Sequence, residues 1–281
     1  MSDSIILFDT SGVNRFAGER DIDNLLHGLH AAGKVWVSAL SIVEAAATMD
    51  PERRHALLRV HKRMVRNERP LELPSELVKR CMRVYSKAEH SLTLTVEGDA
   101  AAAWGMITNP SSVDDEARSS FCQHSREKEE EFHQYHSSMR DSYQTLFKNG
   151  KARPSSAKEL LEAYCESDDF VYGIVAPLYE NAVGMELHKR EVRRLLRTLP
   201  SLAAYLLSWG YANYKRAIAL NSYGRNNAGL TDLTFATYLP YVAQFITNDD
   251  KQHEALKVIS DFIAQKCDIM LYDEWRRRLM M

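Results

Sequence analysis

The sequence predicts an α/β fold with a central, mainly parallel sheet that a large all-helical insertion interrupts. Short apolar runs bounded by polar residues stand at 5–8 and 35–37 and return at 243–247 and 268–272. Unbroken runs of that length suit strands buried on both faces, as parallel sheets require. Between paired runs lies helical periodicity, the alternation that builds a parallel layer. Residues 52–225, by contrast, show helical periodicity and almost no strand signal. The expected organisation is therefore a split α/β domain, residues 1–51 and 226–281, around a helical insertion at 52–225.

The first strand, Ile5-Ile6-Leu7-Phe8, stops at Asp9-Thr10-Ser11-Gly12. Residues 21–30 then carry Ile22, Leu25, Leu26 and Leu29 at helical spacing, with Gly33 as the stop. Val35-Trp36-Val37 is the second strand, and an Ala-rich helix is expected to begin at Ser41 and end near Pro51. Within the insertion, helices are expected over 53–66, 75–87, 127–147, 156–164, 185–199 and 201–220. Ser156 and Glu159 form a capping-box pattern. Residues 92–96 are the one strand-like piece. After Asn226-Asn227-Ala228-Gly229, a helix opens at Thr231-Asp232 and ends at Pro240. The strand Ala243–Thr247, a helix over 251–264, the strand Asp268–Tyr272 and a basic tail, Arg276-Arg277-Arg278, complete the order.

With 45% hydrophobic residues the chain fills a real core, and its formal net charge of −2 gives no global pull toward nucleic acid. Polyanion binding would have to come from local clusters. Cys81, Cys122, Cys165 and Cys267 are widely spaced, which suits reduced thiols, and no apolar run approaches the roughly 20 residues of a membrane span. A soluble cytoplasmic protein without a membrane partner is the expectation. No phosphate-loop or dinucleotide glycine pattern is present, which argues against an ATPase or a nicotinamide enzyme.

Four acids hold related places: Asp9 and Asp249 just past strands, Glu44 and Asp232 at helix starts. Each has a local explanation. Asp9 suits an Asx-turn, Ser41-x-x-Glu44 is a capping box, Asp232 suits a first helical turn, and Asp249 suits an N-cap with Gln252 as its partner. Together they fall on one edge of a parallel sheet, where open α/β sheets bind ligands. Clustered carboxylates repel unless a cation joins them, and Mg²⁺ or Mn²⁺ prefers such an all-oxygen environment.

The segments Ile6-Leu7-Phe8-Asp9-Thr10-Ser11, Val37-Ser38-Ala39-Leu40-Ser41-Ile42-Val43-Glu44, Leu230-Thr231-Asp232 and Phe245-Ile246-Thr247-Asn248-Asp249 are similar, in type and order, to the acid-bearing motifs of PIN-domain nucleases. The resemblance implies a Rossmann-like PIN domain and a Mg²⁺- or Mn²⁺-dependent endoribonuclease that hydrolyses RNA. It implies that Asp9, Glu44, Asp232 and Asp249 form the catalytic metal site, supported by Thr10, Ser11, Thr247 and Asp250. A DNA-directed nuclease is the enzyme alternative. A non-catalytic scaffold whose helices bind protein is the alternative of a different class, and a second copy or a regulatory protein is the further partner considered.

Arg59, Lys62, Arg63 and Arg66 share one helix face, opposite Leu57, Val60 and Met64, and Arg190, Arg193, Arg194 and Arg197 repeat the arrangement. A single such face is ordinarily solvated; two beside a nuclease site suggest phosphate contacts with a strong salt dependence. Glu130-x-x-His133, with His124 and His136, has the spacing of di-iron bundles but lacks a second copy, so surface and packing roles are expected. Trp104, Trp209 and Trp275 are expected in the core.

Overall fold

The protein's structure, a computed structural model, describes residues 4–66, 68–87, 92, 94, 99–218, 229–264 and 266–280, without the side chains of residues 99, 124–125, 128–129, 146–147 and 170. Strand β1 (Ile5–Phe8) leads through α1 (Thr10–Phe16) and α2 (Ile22–Ala32) to β2 (Lys34–Val37) and α3 (Ala39–Ala46). Then come α4 (Pro51–Val65), α5 (Pro74–Tyr85), α6 (Asp99–Thr108), α7 (Asp115–Lys148), α8 (Ala157–Glu166), α9 (Asp168–Val183), α10 (Val192–Thr198) and α11 (Pro200–Asn213). A π-helical turn at Tyr214–Ile218 follows. The chain closes with α12 (Leu230–Leu233), a 3-10 helix (Thr234–Tyr241), β3 (Gln244–Thr247), α13 (Asp250–Ser260), β4 (Asp268–Leu271) and α14 (Tyr272–Leu279).

All four strands are parallel, in the order β2-β1-β3-β4. The chain steps from β1 outward to β2, and later from β3 outward the other way to β4. The direction reverses between β1 and β3, and at such a point the carboxyl ends of neighbouring strands open a crevice. Leu71 extends the far edge by one parallel bridge to Ser38, with its N–H donating to the Val37 carbonyl at 2.9 Å.

Side chains alternate across the sheet with the period of two that a strand imposes. Leu7, Trp36, Phe245 and Ile269 enter one core with apolar residues of α5, α8, α9, α10, α11, α12 and α13. Ile6, Phe8, Val35, Ile246 and Met270 enter the other, with Val13 and Phe16 of α1, Leu25 and Leu29 of α2, Val60 and Met64 of α4, and Trp275 of α14. Helices thus cover both faces, and those between β2 and β3 share their core with the sheet.

Several expectations shift. Helix α1, with Asp9 as its N-cap, starts at once where a turn was expected. Helix α3 begins at Ala39, capped by Ser38, so Ser41-x-x-Glu44 is not a capping box: Ser41 is already inside the helix and donates its N–H to Ser38 Oγ at 3.0 Å. Helices α6 and α9 had not been anticipated, and α7 begins at Asp115 rather than 127. The expected helix over 185–199 is a 3-10 turn at Lys189–Glu191 followed by α10. Ser156 does cap α8, but Glu159 accepts from the Ser155 N–H at 2.6 Å, one residue before the cap. Arg276, Arg277 and Arg278 belong to α14 rather than to a tail; Arg276 lies 3.5 Å from Glu19 and Arg278 2.7 Å from Asp268. Most of the strand-like stretch 92–96, the helix end at 219–220 and the junction at 226–228 lie outside the described residues.

Candidate functional site

Strand β1 delivers Asp9 to the crevice, and the cap geometry fixes it there. With φ −78° and ψ 178° its backbone is still extended, so its carboxylate turns back onto the first turn of α1 and accepts the Gly12 N–H at 2.6 Å. A Cβ on Gly12 would stand 2.8 Å from the Ile246 carbonyl and 3.0 Å from Asp9 Oδ1, so α1 crosses the end of β3 at a distance only glycine allows. Ser11 ties the two strand ends together: its hydroxyl donates to Asp9 Oδ2 at 2.8 Å and accepts the Asn248 N–H at 2.8 Å.

Thr247, fully buried at the end of β3, completes the crossing. Its hydroxyl lies 3.0 Å from Asp9 Oδ2 and 2.6 Å from Gln252 Oε1, while accepting the Asp249 N–H at 3.0 Å. One hydroxyl proton cannot serve both the carboxylate and the amide oxygen. Gln252 Nε2 donates to the Asp232 carbonyl at 2.9 Å, which fixes the amide with its oxygen toward Thr247. A proton on Asp9 satisfies the whole chain, running Asp9 to Thr247 to Gln252 to the Asp232 backbone.

The charge environment agrees. Burial, opposed by the Gly12 N–H and the two hydroxyls and assisted by Asp232, raises Asp9 to about 7. Glu44 is raised to about 7 as well, first by burial, against the Thr10 hydroxyl bonded to its Oε2, and further by Asp232 and Asp9. Three carboxylates from β1, α3 and α12 thus act on one another, and the charged groups acting on Asp9 and Glu44 are all acids. Glu44 reaches them because α3 is capped by Ser38 and starts at Ala39, which puts Glu44 in the later half of the helix.

Asp232 and Asp249 retain the local roles their positions suggested. Asp232 Oδ2 accepts the Gly229 N–H at 2.8 Å in the first turn of α12. Asp249 caps α13, accepting from Lys251 N at 2.7 Å and Gln252 N at 3.1 Å. Gln252 does not close the expected box; it is buried and turned inward to Thr247. Asp250 is exposed in the first turn of α13. Among the described residues, no group of three or more His, Cys, Asp or Glu side chains is arranged to hold a metal ion. The neighbour that sequence reasoning missed is Gln252, whose signal was an acid-x-x-Gln spacing that a cap explained equally well.

The basic faces differ from each other. On α4 and its C-cap, Arg59 and Arg66 are exposed, Arg63 pairs with Asp23, and Lys62 lies over the Trp104 ring at 3.8 Å. Arg190 sits in the 3-10 turn before α10; Arg193 is held by Asp168 and the Cys165 carbonyl, and Arg194 and Arg197 are exposed. Glu130 and His133 are exposed, and His136 is buried against Asn213 Oδ1 at 3.1 Å, lowered to about 4 mainly by burial. Trp275 is in the core as expected, while Trp104 and Trp209 are partly covered, the latter among Phe132, Tyr135 and Tyr205.

The fold is that of an α/β protein with a four-stranded parallel sheet, and at the reversal of strand order it places buried Asp9 near the half-buried Glu44 and Asp232. Comparison with family models, curated proteins and solved structures finds no match. Among the described residues no helix is long and apolar enough to cross a membrane.

Proposed function

We propose that this chain is a divalent-metal-dependent nuclease of the PIN-like, Rossmann-related kind, acting on RNA from the crevice between β1 and β3. The observation that carries the reading is the set of mutually repelling carboxylates, Asp9, Glu44 and Asp232, brought to the strand-order reversal with Asp9 and Glu44 both raised to about 7. That donor set suits Mg²⁺ or Mn²⁺, which prefers carboxylate oxygen and offsets such repulsion. Asp9, Glu44 and Asp232 would hold the ion, with Asp249 at the rim. To do so, Glu44 and Asp232 exchange their bonds to Thr10 and the Gly229 N–H for bonds to metal. A bound ion supplies a Lewis acid for a phosphodiester oxygen and lowers the pKa of a water it carries. Ser11 and Thr247 fix the orientation of Asp9, Gln252 holds Thr247, and exposed Arg59, Arg66 and Arg194 are available for backbone phosphates.

A specific observation favours a second reading. Asp232 is spent on the Gly229 N–H in the first turn of α12 and Asp249 on capping α13, and no three acids are arranged around a common point among the described residues. That arrangement suits a non-catalytic scaffold. Incubation of the purified chain with RNA and with DNA, in Mg²⁺ or Mn²⁺, beside a chelator control and Asp9→Asn, separates the readings. Metal-dependent RNA cleavage abolished in the variant supports the nuclease; cleavage of DNA alone redirects the substrate, and intact nucleic acid throughout leaves the scaffold.

A further inference from the structure

Away from the acidic crevice, helices α8, α9, α10 and α11 and the segment after α13 line a cavity of about 440 Å³ that opens to solvent. That size falls within the roughly 300–1,000 Å³ of small-molecule sites. The crevice lies at the start of α13 and the cavity beyond its other end, at Phe262. Eleven helical residues separate the two by about 16 Å. The cavity is therefore distinct from the acidic cluster and does not depend on its proposed chemistry.

Its walls are apolar, and several remain only partly covered: Ile174, Leu196, Ala203, Leu206 and Phe262 line it and are half-buried. Its charge is one-sided. No acid lines it among the described residues, and two arginines do. Arg193 is already answered by Asp168. Arg197, one helical turn further along α10 and exposed beside the cavity, has no ion-pair or hydrogen-bond partner among the described residues.

An apolar chamber of this volume with a single unanswered guanidinium at its rim has the complementarity of a chain-like hydrocarbon ending in an anion. Burying the chain removes both its surface and the half-covered walls from water, while the guanidinium binds a carboxylate bidentately at the solvent boundary. We infer that this cavity binds a single-chain amphiphile with a carboxylate head, the chain among α8, α9 and α11 and the carboxylate on Arg197. This turns part of an arginine-rich helix face, which as a sequence pattern suggested phosphate contacts, into the mouth of a lipid-type site.

The test is isothermal titration of the purified full chain with dodecanoate below its micelle concentration, and with dodecan-1-ol as the uncharged chain of the same length. Saturable dodecanoate binding is expected. Arg197→Gln, a change at an exposed position, should weaken dodecanoate by roughly tenfold or more, the worth of a hydrogen bond to a charged group, and leave dodecanol unchanged. Ala203→Phe, which fills the chamber, should abolish binding of both. Absence of saturable binding, unchanged dodecanoate affinity in Arg197→Gln, or full binding by a natively melting Ala203→Phe overturns the inference. If Ala203→Phe does not fold, the Arg197→Gln comparison alone decides.

Discussion

Asp9 is a buried carboxyl that desolvation pushes toward its neutral form, against the donors that favour the ionised one. Its value, like that of Glu44, is raised to about 7, so the folded state prefers the neutral acid and the unfolded state releases the proton near 4. The sign follows: stability contributed by these groups is full below about pH 4 and is lost as pH rises toward and through 7. In metal-free buffer the melting temperature should therefore fall between pH 5 and pH 8. Asp9→Asn keeps a helix-capping oxygen and removes one of the two titrations, so it should stabilise the chain at pH 8 by about 1–3 kcal/mol and make the pH profile of thermal melts shallower, the remaining slope belonging to Glu44. At this scale the sequence was legible for Asp9, whose place after an apolar run ending in Thr-Ser-Gly put it at the crevice. It was not legible for Gln252, because the same spacing that makes a cap partner also leaves a side chain free to turn inward to Thr247. That choice depends on where β3 and α12 meet, which no local pattern encodes.

Among the elements, the decisive detail is where helices begin. One turn of difference in the start of α3, set by the Ser38 cap, converts Glu44 from a first-turn acid into an acid in the later half of the helix, facing Thr10. Ser38 and Ser41 are equally good capping residues in isolation, and the choice falls to Ser38 because β2 ends at Val37. Helix α6, rich in alanine, and α9, with Pro177 inside it, carry weak amphipathic patterns, which is why periodicity did not show them. Close approaches mark where elements tolerate no side chain. Gly12→Ala would drive a methyl into the Ile246 carbonyl, and Gly210→Ala would bring one within 2.6 Å of Leu161 Cδ2, where α11 packs on α8. Each should cost about 1–3 kcal/mol in denaturant unfolding, but only the first should also perturb the Asp9 titration. Equal effects on that titration would contradict the assignment of Gly12 to the crevice.

For the whole molecule, the helices between β2 and β3 cover one face of the sheet through α5 and α8–α11, while α4 joins the other face. The sequence revealed the parallel sheet, since strand runs and helical periodicity differ in kind. It did not reveal the shared core, because the packing of Leu7 and Phe245 against the distant helices arises only on folding. Arg59 of α4 and Arg66, its C-cap, are two of the exposed arginines proposed to meet backbone phosphates. Replacing both by Ala should lower the salt slope of RNA binding by about one for each phosphate no longer neutralised. The central claim is that Asp9, Glu44 and Asp232 together form a divalent-cation site, and the thermal melt of wild type and Asp9→Asn at pH 8, with and without millimolar Mg²⁺, tests it most directly. A cation at about ten times its dissociation constant stabilises the fold by about 1.4 kcal/mol, so Mg²⁺ should raise the wild-type melting temperature by about 3–6 °C and leave Asp9→Asn unmoved. An equal shift in both proteins, or none in either, would contradict it.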